Sequence, residues 1–252
     1  TSDKQTWTPR SLYTGAVVAN LRKMKNLIIL FIFLVFSSCK EKVSEETKKP
    51  KQKIQVNTEL KEKLEHILTL DQGIRQLLQE NISDEKKDEL ITKMGLSKKI
   101  VETDIYSLMR EVDSTNLIEI EKIIKEFGYP NKELVGEPAN ETVFYVIQHS
   151  EKIEQYLPII RKAAKNGDIS MRKLAMMEDR NLMHNGKEQI YGTQIRGQKD
   201  KNGNWIHFVW PIKNPDSVNL IRERIGLGNI EEYAKGFDIE YKVLTMEEIN
   251  EL

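Results

Sequence analysis

The chain has 252 residues, with 39 Lys and Arg set against 39 Asp and Glu, and one cysteine. A balanced chain without a concentrated basic stripe excludes nucleic acid as the expected partner. One thiol leaves no disulfide within the chain and no thiolate metal site.

Residues 1–23 read as an upstream translation artefact, so no function is attached to Trp7 or Arg10. Met24-Lys25-Asn26 opens a second beginning, followed by an unbroken apolar run from Leu27 to Phe36 and then Ser37-Ser38-Cys39. A basic start, an apolar stretch and small residues at the cut make residues 24–38 a signal peptide. The run is too short to cross a bilayer, which needs about 20 apolar residues. Phe36-Ser37-Ser38-Cys39 resembles the lipobox of bacterial lipoproteins, with Phe36 bulkier than the usual Leu. That resemblance implies cleavage before Cys39 and acyl chains on its sulfur. Each buried methylene contributes about 0.8 kcal/mol, so two or three chains hold a protein that one holds only marginally. The alternative is a buried core cysteine after a chance apolar stretch. The expected place is the bacterial cell envelope, at the outer membrane, with the membrane itself a partner through the lipid anchor. Removing residues 1–38 takes away five bases and one acid, so the mature part carries a net charge of −4.

Residues 39–56 are the lipidated cysteine and a tether rich in Lys, Glu, Ser and Thr. Residues 57–252 form one mainly α domain of many helices with one small β-hairpin at about 189–212. Leu60, Leu64, Ile67, Ile74 and Leu78 recur at three- and four-residue steps and predict a helix over about 58–80. Ser83 caps a short second helix that Gly95 stops. Ser97 opens a long segment ending at Gly128-Tyr129-Pro130, where Gly suits a left-handed cap and Pro cannot continue a helix. Further helices are expected at about 139–149, 152–165 and 171–184. Asn202-Gly203 is a hairpin turn signal between 189–198 and 204–212, and Trp205 to Trp210 is rich in strand formers. Two short helices follow Asn214-Pro215, and Thr245 with Glu248 makes a capping box for a last one.

Polar residues interrupt the apolar stripes. Asp71 completes the first helix's stripe, and Arg75 stands four residues on, where the two can meet. Asn116 sits in the long segment's stripe beside Asp113, His149 follows Gln148 at the end of an apolar helix, and Asp179-Arg180 breaks another. A carboxylate in an apolar environment must be paired or hydrogen-bonded, because an isolated buried charge is very costly. One reading is a buried network that fixes helix register, its acids satisfied by Arg75 and Arg180. The other is a pocket with His149 as acid or base, oriented by Asp71 or Asp179, and an arginine binding an anion.

Asp179-Arg180 followed by Gly186-Lys187-Glu188-Gln189-Ile190-Tyr191-Gly192-Thr193-Gln194 resembles the signature of an uncharacterised bacterial family, D-R … G-K-x-Q-x-Y-G-T-Q, many of whose members are lipoproteins. Other matching pieces are Asp71-Gln72-x-x-Arg75, Gln148-His149 and Pro211-Ile212-x-Asn214-Pro215. The chain departs from the pattern at Tyr129, Asn214 and Asn219, where the family has Trp, Asp and Asp. The family implies no established activity. The match supports a shared site without identifying its chemistry. Gln189, Tyr191, Thr193 and Gln194 either line a polar pocket, as candidate ligand-binding residues with the Arg75 and Arg180 of the interrupted stripes, or hydrogen-bond the loops beneath them. The latter is the commoner use of buried amides. Backbone at Gly192 is expected to allow a ligand close approach.

Phosphate loops, dinucleotide fingerprints and nucleophile elbows are missing from the sequence. His66, His149, His184 and His207 show no H-E-x-x-H spacing, so neither a metal nor a cofactor is expected. The leading expectation is an envelope-anchored binding or interaction domain for a small ligand or envelope protein. The alternative is a hydrolase or transferase using His149, Asp71 or Asp179, with Arg75 or Arg180 as anion binder.

Overall fold

A computed structural model describes residues 55–79 and 81–251, all within the compact unit Lys53–Leu252. The signal segment, Cys39 and the tether to Ile54 lie outside the described residues. Among those residues there are eleven α-helices and one two-stranded antiparallel hairpin, so the domain is mainly α. No helix among them is long and apolar enough to cross a membrane.

Helix α1 (Thr58–Leu77) is central, packing against α2 (Asp84–Met94), α4 (Ile105–Phe127) and α6 (Thr142–Ile147). Its buried stripe is Leu60, Leu64, Ile67, Asp71, Ile74 and Leu77, and Leu78 forms the cap instead of the stripe's last member. Ser83 accepts from the Lys86 amide at 3.3 Å to begin α2, and Gly95 ends it at a positive φ of 69°. That is the left-handed cap expected of glycine at a helix end.

The segment from Ser97 to Phe127 is two helices, not one. α3 (Lys98–Thr103) stops at Asp104, which is extended at φ −158° and caps α4 by accepting from the Ser107 amide at 2.9 Å. An aspartate competes for backbone donors and so starts helices more readily than it continues them.

Short α5 (Lys132–Val135) and a 3-10 turn at Ala139–Glu141 lead into α6. α7 (Ile153–Lys165) then packs along α8 (Met171–His184). These helices, α1 and α4 share the largest apolar cluster, which includes Leu64, Ile120, Phe144, Ile160 and Met177. Ile74, Leu90, Met94 and Val112 form a second cluster beside α2.

The hairpin is shorter than the sequence suggests. β1 is Ile195–Lys199 and β2 is Trp205–Val209, with Lys199 opposite Trp205 and Gly203 in the turn at φ 85°. Residues 189–194 form a loop, joined to the sheet region by one parallel bridge between Gln189 and Ile212. α9 (Val218–Arg224) and α10 (Ile230–Lys235) cover it, and α11 (Met246–Glu251) begins at the expected capping box. The Thr245 amide donates to Glu248 at 2.7 Å and the Glu248 amide donates to Thr245 at 3.2 Å. Asn229 begins α10 without a side-chain bond, and Asn219 accepts from the Ile230 amide at 2.8 Å in its place.

Candidate functional site

The polar residues fall into two groups that meet at Arg180. The first surrounds the end of α6. Asp71 is 1 % exposed, and its carboxylate accepts from Gln72 at 2.6 Å and from the Arg75 Nη1 at 3.3 Å. Arg75 also donates from Nη1 to the Asp71 carbonyl at 2.8 Å and from Nη2 to Asp113, whose two oxygens lie 2.9 and 3.0 Å away. One nitrogen serves both oxygens, a charge-assisted contact shorter than the one Arg75 makes to the Asp71 carboxylate. Asp71 therefore holds the poorer share of the guanidinium, and burial pushes its pKa up from 3.8 to about 6 despite Arg75.

His149 follows directly. Its Nε2 is buried and has no hydrogen-bond partner. Burial first, then the charges of Arg75 and Arg180, hold its pKa down at about 3, so the imidazole is neutral near pH 7. Arg180, on α8, donates from Nε to Gln194 at 3.1 Å and from Nη1 to the carbonyl and side chain of Gln148 at 3.1 and 3.4 Å. No carboxylate lies within ion-pair range of it among the described residues. Burial and Arg75 both lower its pKa, which means that its charge is uncomfortable where it sits.

The second group is the loop 189–194. Asp179 is fully buried, and its carboxylate accepts from the amides of Ile190, Tyr191 and Thr193 at 2.7, 3.1 and 3.0 Å and from the Thr193 hydroxyl at 2.9 Å. Arg222, 1 % exposed, takes the other side of the same peptides, donating to the carbonyls of Tyr191 and Gly192 at 2.7 and 3.3 Å and to Gly228 at 2.6 Å. Its guanidinium lies 5.0 Å from the ring centre of Tyr233, whose hydroxyl donates to the Thr193 carbonyl at 2.7 Å. Gln189 closes the loop with its side-chain amide. It accepts from the Gln194 amide at 2.8 Å and donates to the carbonyls of Gln194 and Trp210 at 3.1 and 2.6 Å. The acid binds the amides, the base binds the carbonyls, and the oriented peptides lie between them.

Gly192 serves packing and not ligand approach. It has φ 68°, and a Cβ there would stand 2.6 Å from Ile230 and 2.8 Å from Ile212. The aliphatic core comes up against the backbone where the sequence suggested a ligand.

Asp71, Arg75, His149 and Arg180 thus come together, with Gln194 and Gln148 holding Arg180. Gln189, Thr193 and Asp179 belong to the loop's internal bonding, and Tyr191 is partly exposed with a long 3.5 Å contact to Glu178. The oxygens of Asp71 bond to Gln72 and Arg75 and those of Asp179 to the loop, so neither carboxylate orients His149. Sequence reasoning missed Arg222. Its signal was present in the i, i+4 spacing from the buried Val218, which places a cation on an inward face. Five of the cavities that indent the described residues measure about 350 to 680 Å3, and none of those five has Asp71, Arg75, His149 or Arg180 in its wall. The 680 Å3 cavity is lined by their chain neighbours, Glu151 and Asn181, together with Ile153, Glu154, His184 and Arg196. No group of three or more potential metal ligands exists among the described residues.

A mainly helical domain with one hairpin, organised around the Asp179-Arg180 and Tyr-Gly-Thr-Gln segments, is what the structure defines. The model of a family of unknown function, DUF6624, matches residues 58–245, and the chain belongs to that family. No curated protein and no solved structure matches it.

Proposed function

We propose that this chain is a lipid-anchored protein of the bacterial envelope, tethered at Cys39 to the outer membrane, whose helical domain binds a small anionic ligand or the anionic end of an envelope protein. The observation that carries the binding reading is Arg180, a partly buried cation with no acidic partner among the described residues, beside the orphaned Nε2 of His149. A buried cation is ordinarily paired, and a buried ring nitrogen is ordinarily hydrogen-bonded. An anion that reached both would satisfy both. The hydrolase or transferase reading has less support. His149 lacks an orienting carboxylate, and at a pKa of about 3 it is a weak base.

Thermal-shift titration of the full chain in detergent with a panel of inorganic and organic anions tests binding. Stabilisation by at least one anion that Arg180→Met abolishes is expected. Stabilisation unaffected by that substitution, or none with any anion, refutes it. Anchoring is tested separately by Cys39→Ser, which should leave an unprocessed or released product. An unchanged mass and membrane fraction would end the lipoprotein reading.

A further inference from the structure

A cavity of about 630 Å3 lies along α1, within the roughly 300–1,000 Å3 range of small-molecule sites. Helix α1 lines it with Glu65, Thr69, Gln72 and Gln76, a polar stripe at three- and four-residue steps beside the buried apolar one. α2 and the stretch from Pro138 to Tyr145 complete the wall.

Gln72 is the fixed point of this wall. Its Nε2 donates to the buried carboxylate of Asp71 at 2.6 Å. An ionised carboxylate only accepts, so the amide turns its NH2 toward Asp71 and its oxygen away. That Oε1 has no partner among the described residues, and neither have the Gln76 amide and the Tyr145 hydroxyl. Among those residues only Asn140 and His149 hold a fully buried side-chain polar atom without a partner, so the free atoms of this wall are open to a ligand.

The carboxylates of the wall are already matched. Glu89 pairs with Lys86 at 2.8 Å, Glu65 with Lys61 at 3.7 Å, and Glu141 with Lys173. The field in the cavity is therefore nearly balanced, and neither an anion nor a cation is strongly drawn in. Two amides, a phenol and the His66 ring remain uncommitted, and Lys93, without an acid among the described residues, adds three donors. Hydroxyl groups suit such a mixture, since each brings one donor and two acceptor sites. A peptide suits it poorly. The usual modes need a strand edge, an apolar groove or an aromatic slot. This wall has no strand, one tyrosine, and only Leu68, Leu90 and Pro138 as apolar side chains.

We infer that this cavity is a second binding site, for a neutral disaccharide whose hydroxyls bond to Gln72, Gln76 and Tyr145. It shares no wall residue with the Arg180 cluster and stands whether or not that cluster takes an anion.

The test is saturation-transfer NMR and calorimetric titration of the full chain in a detergent without a sugar head group. The probes are maltose, cellobiose and N,N′-diacetylchitobiose, with digalacturonate, chitobiose and tetraglycine as anionic, cationic and peptide controls. At least one neutral disaccharide should bind, and Gln72→Met and Tyr145→Phe should each weaken it roughly three- to ten-fold, the loss of one hydrogen bond. Urea midpoints check that each variant folds; if Gln72→Met does not, Tyr145→Phe and Gln76→Met decide alone. Absence of binding by all three neutral probes, or binding that the substitutions leave untouched, overturns the site. Digalacturonate, chitobiose or tetraglycine binding more tightly than every neutral disaccharide overturns the ligand class.

Discussion

The Asp71–Arg180 cluster and the Gln189–Gln194 loop look alike in sequence, as polar side chains set into apolar stripes, yet their hydrogen-bond accounts differ. In the loop, Asp179 accepts four donors, Arg222 donates to three carbonyls, and Gln189 uses both ends of its amide. None of these three side chains has a buried polar atom without a partner. In the cluster, Asp71 holds an inferior share of Arg75, His149 has an empty nitrogen and Arg180 has no acid. A closed account fixes the fold, and an open one is where a ligand can contribute. The most specific motif of the sequence is thereby structural, and the group it positions, Arg180 through Gln194, is the one with capacity to spare.

The largest expected effect is at Asp179. Replacing it with Asn removes the charge and turns an acceptor edge into a donor that faces the backbone amides of Tyr191 and Thr193. The Arg222 charge on the far side of the loop also loses its opposite. Breaking one member of a buried charged network typically costs about 3–5 kcal/mol. Urea denaturation of Asp179→Asn should fall in that range. A loss below about 1 kcal/mol, the size of an ordinary hydrogen bond, would show that the loop is not held in this way.

How much of this was legible follows from the range of each interaction. The Asn202-Gly203 turn, the Gly95 stop and the Thr245–Glu248 box involve partners within four residues, and the sequence alone predicts them. Asp71 was also visible as a polar member of an apolar stripe, with Arg75 one turn on. The break at Asp104 was hidden because Val101 and Ile105 keep the helical spacing across it, and a single side-chain cap decides the outcome. Residues 189–194 read as strand because their alternation fits one. Their real partners are Asp179, 11 to 14 residues away, and Arg222, about 30 away, and spacing rules do not reach that far. That His149 has an unused nitrogen cannot be seen in any local pattern.

The next effect is a dependence on pH that the cluster should show. His149 is held neutral, so its contribution to stability is complete above its ordinary 6.5 and is lost as pH falls toward about 3. Asp71 runs the other way. Its raised pKa makes folding more favourable below 3.8, an advantage lost as pH rises through about 6. Between pH 7 and pH 5 the histidine costs about 2 kcal/mol and the aspartate returns about 1 kcal/mol. Asp71→Asn should therefore lose more stability on acidification over that window than the natural chain, and His149→Gln should gain. Urea midpoints at the two pH values measure both. Equal responses in all three proteins would mean that neither group is as buried as the structure has it.

The smallest expected change is the one that separates the two regions most sharply. Arg180→Met keeps the aliphatic length of the side chain and removes a charge that has no acidic partner. Losing the bonds to Gln194 and Gln148 leaves acceptors without a donor, a cost of about 1–2 kcal/mol. Removing a desolvated, unpaired cation gives back a similar amount. The net shift in denaturation midpoint should correspond to less than about 1 kcal/mol, against the several expected for Asp179→Asn. Near-neutral stability combined with lost anion binding is what a group held for a ligand produces. A stability loss as large as that of Asp179→Asn would instead place Arg180 inside the same closed network, and the distinction between the two regions would disappear.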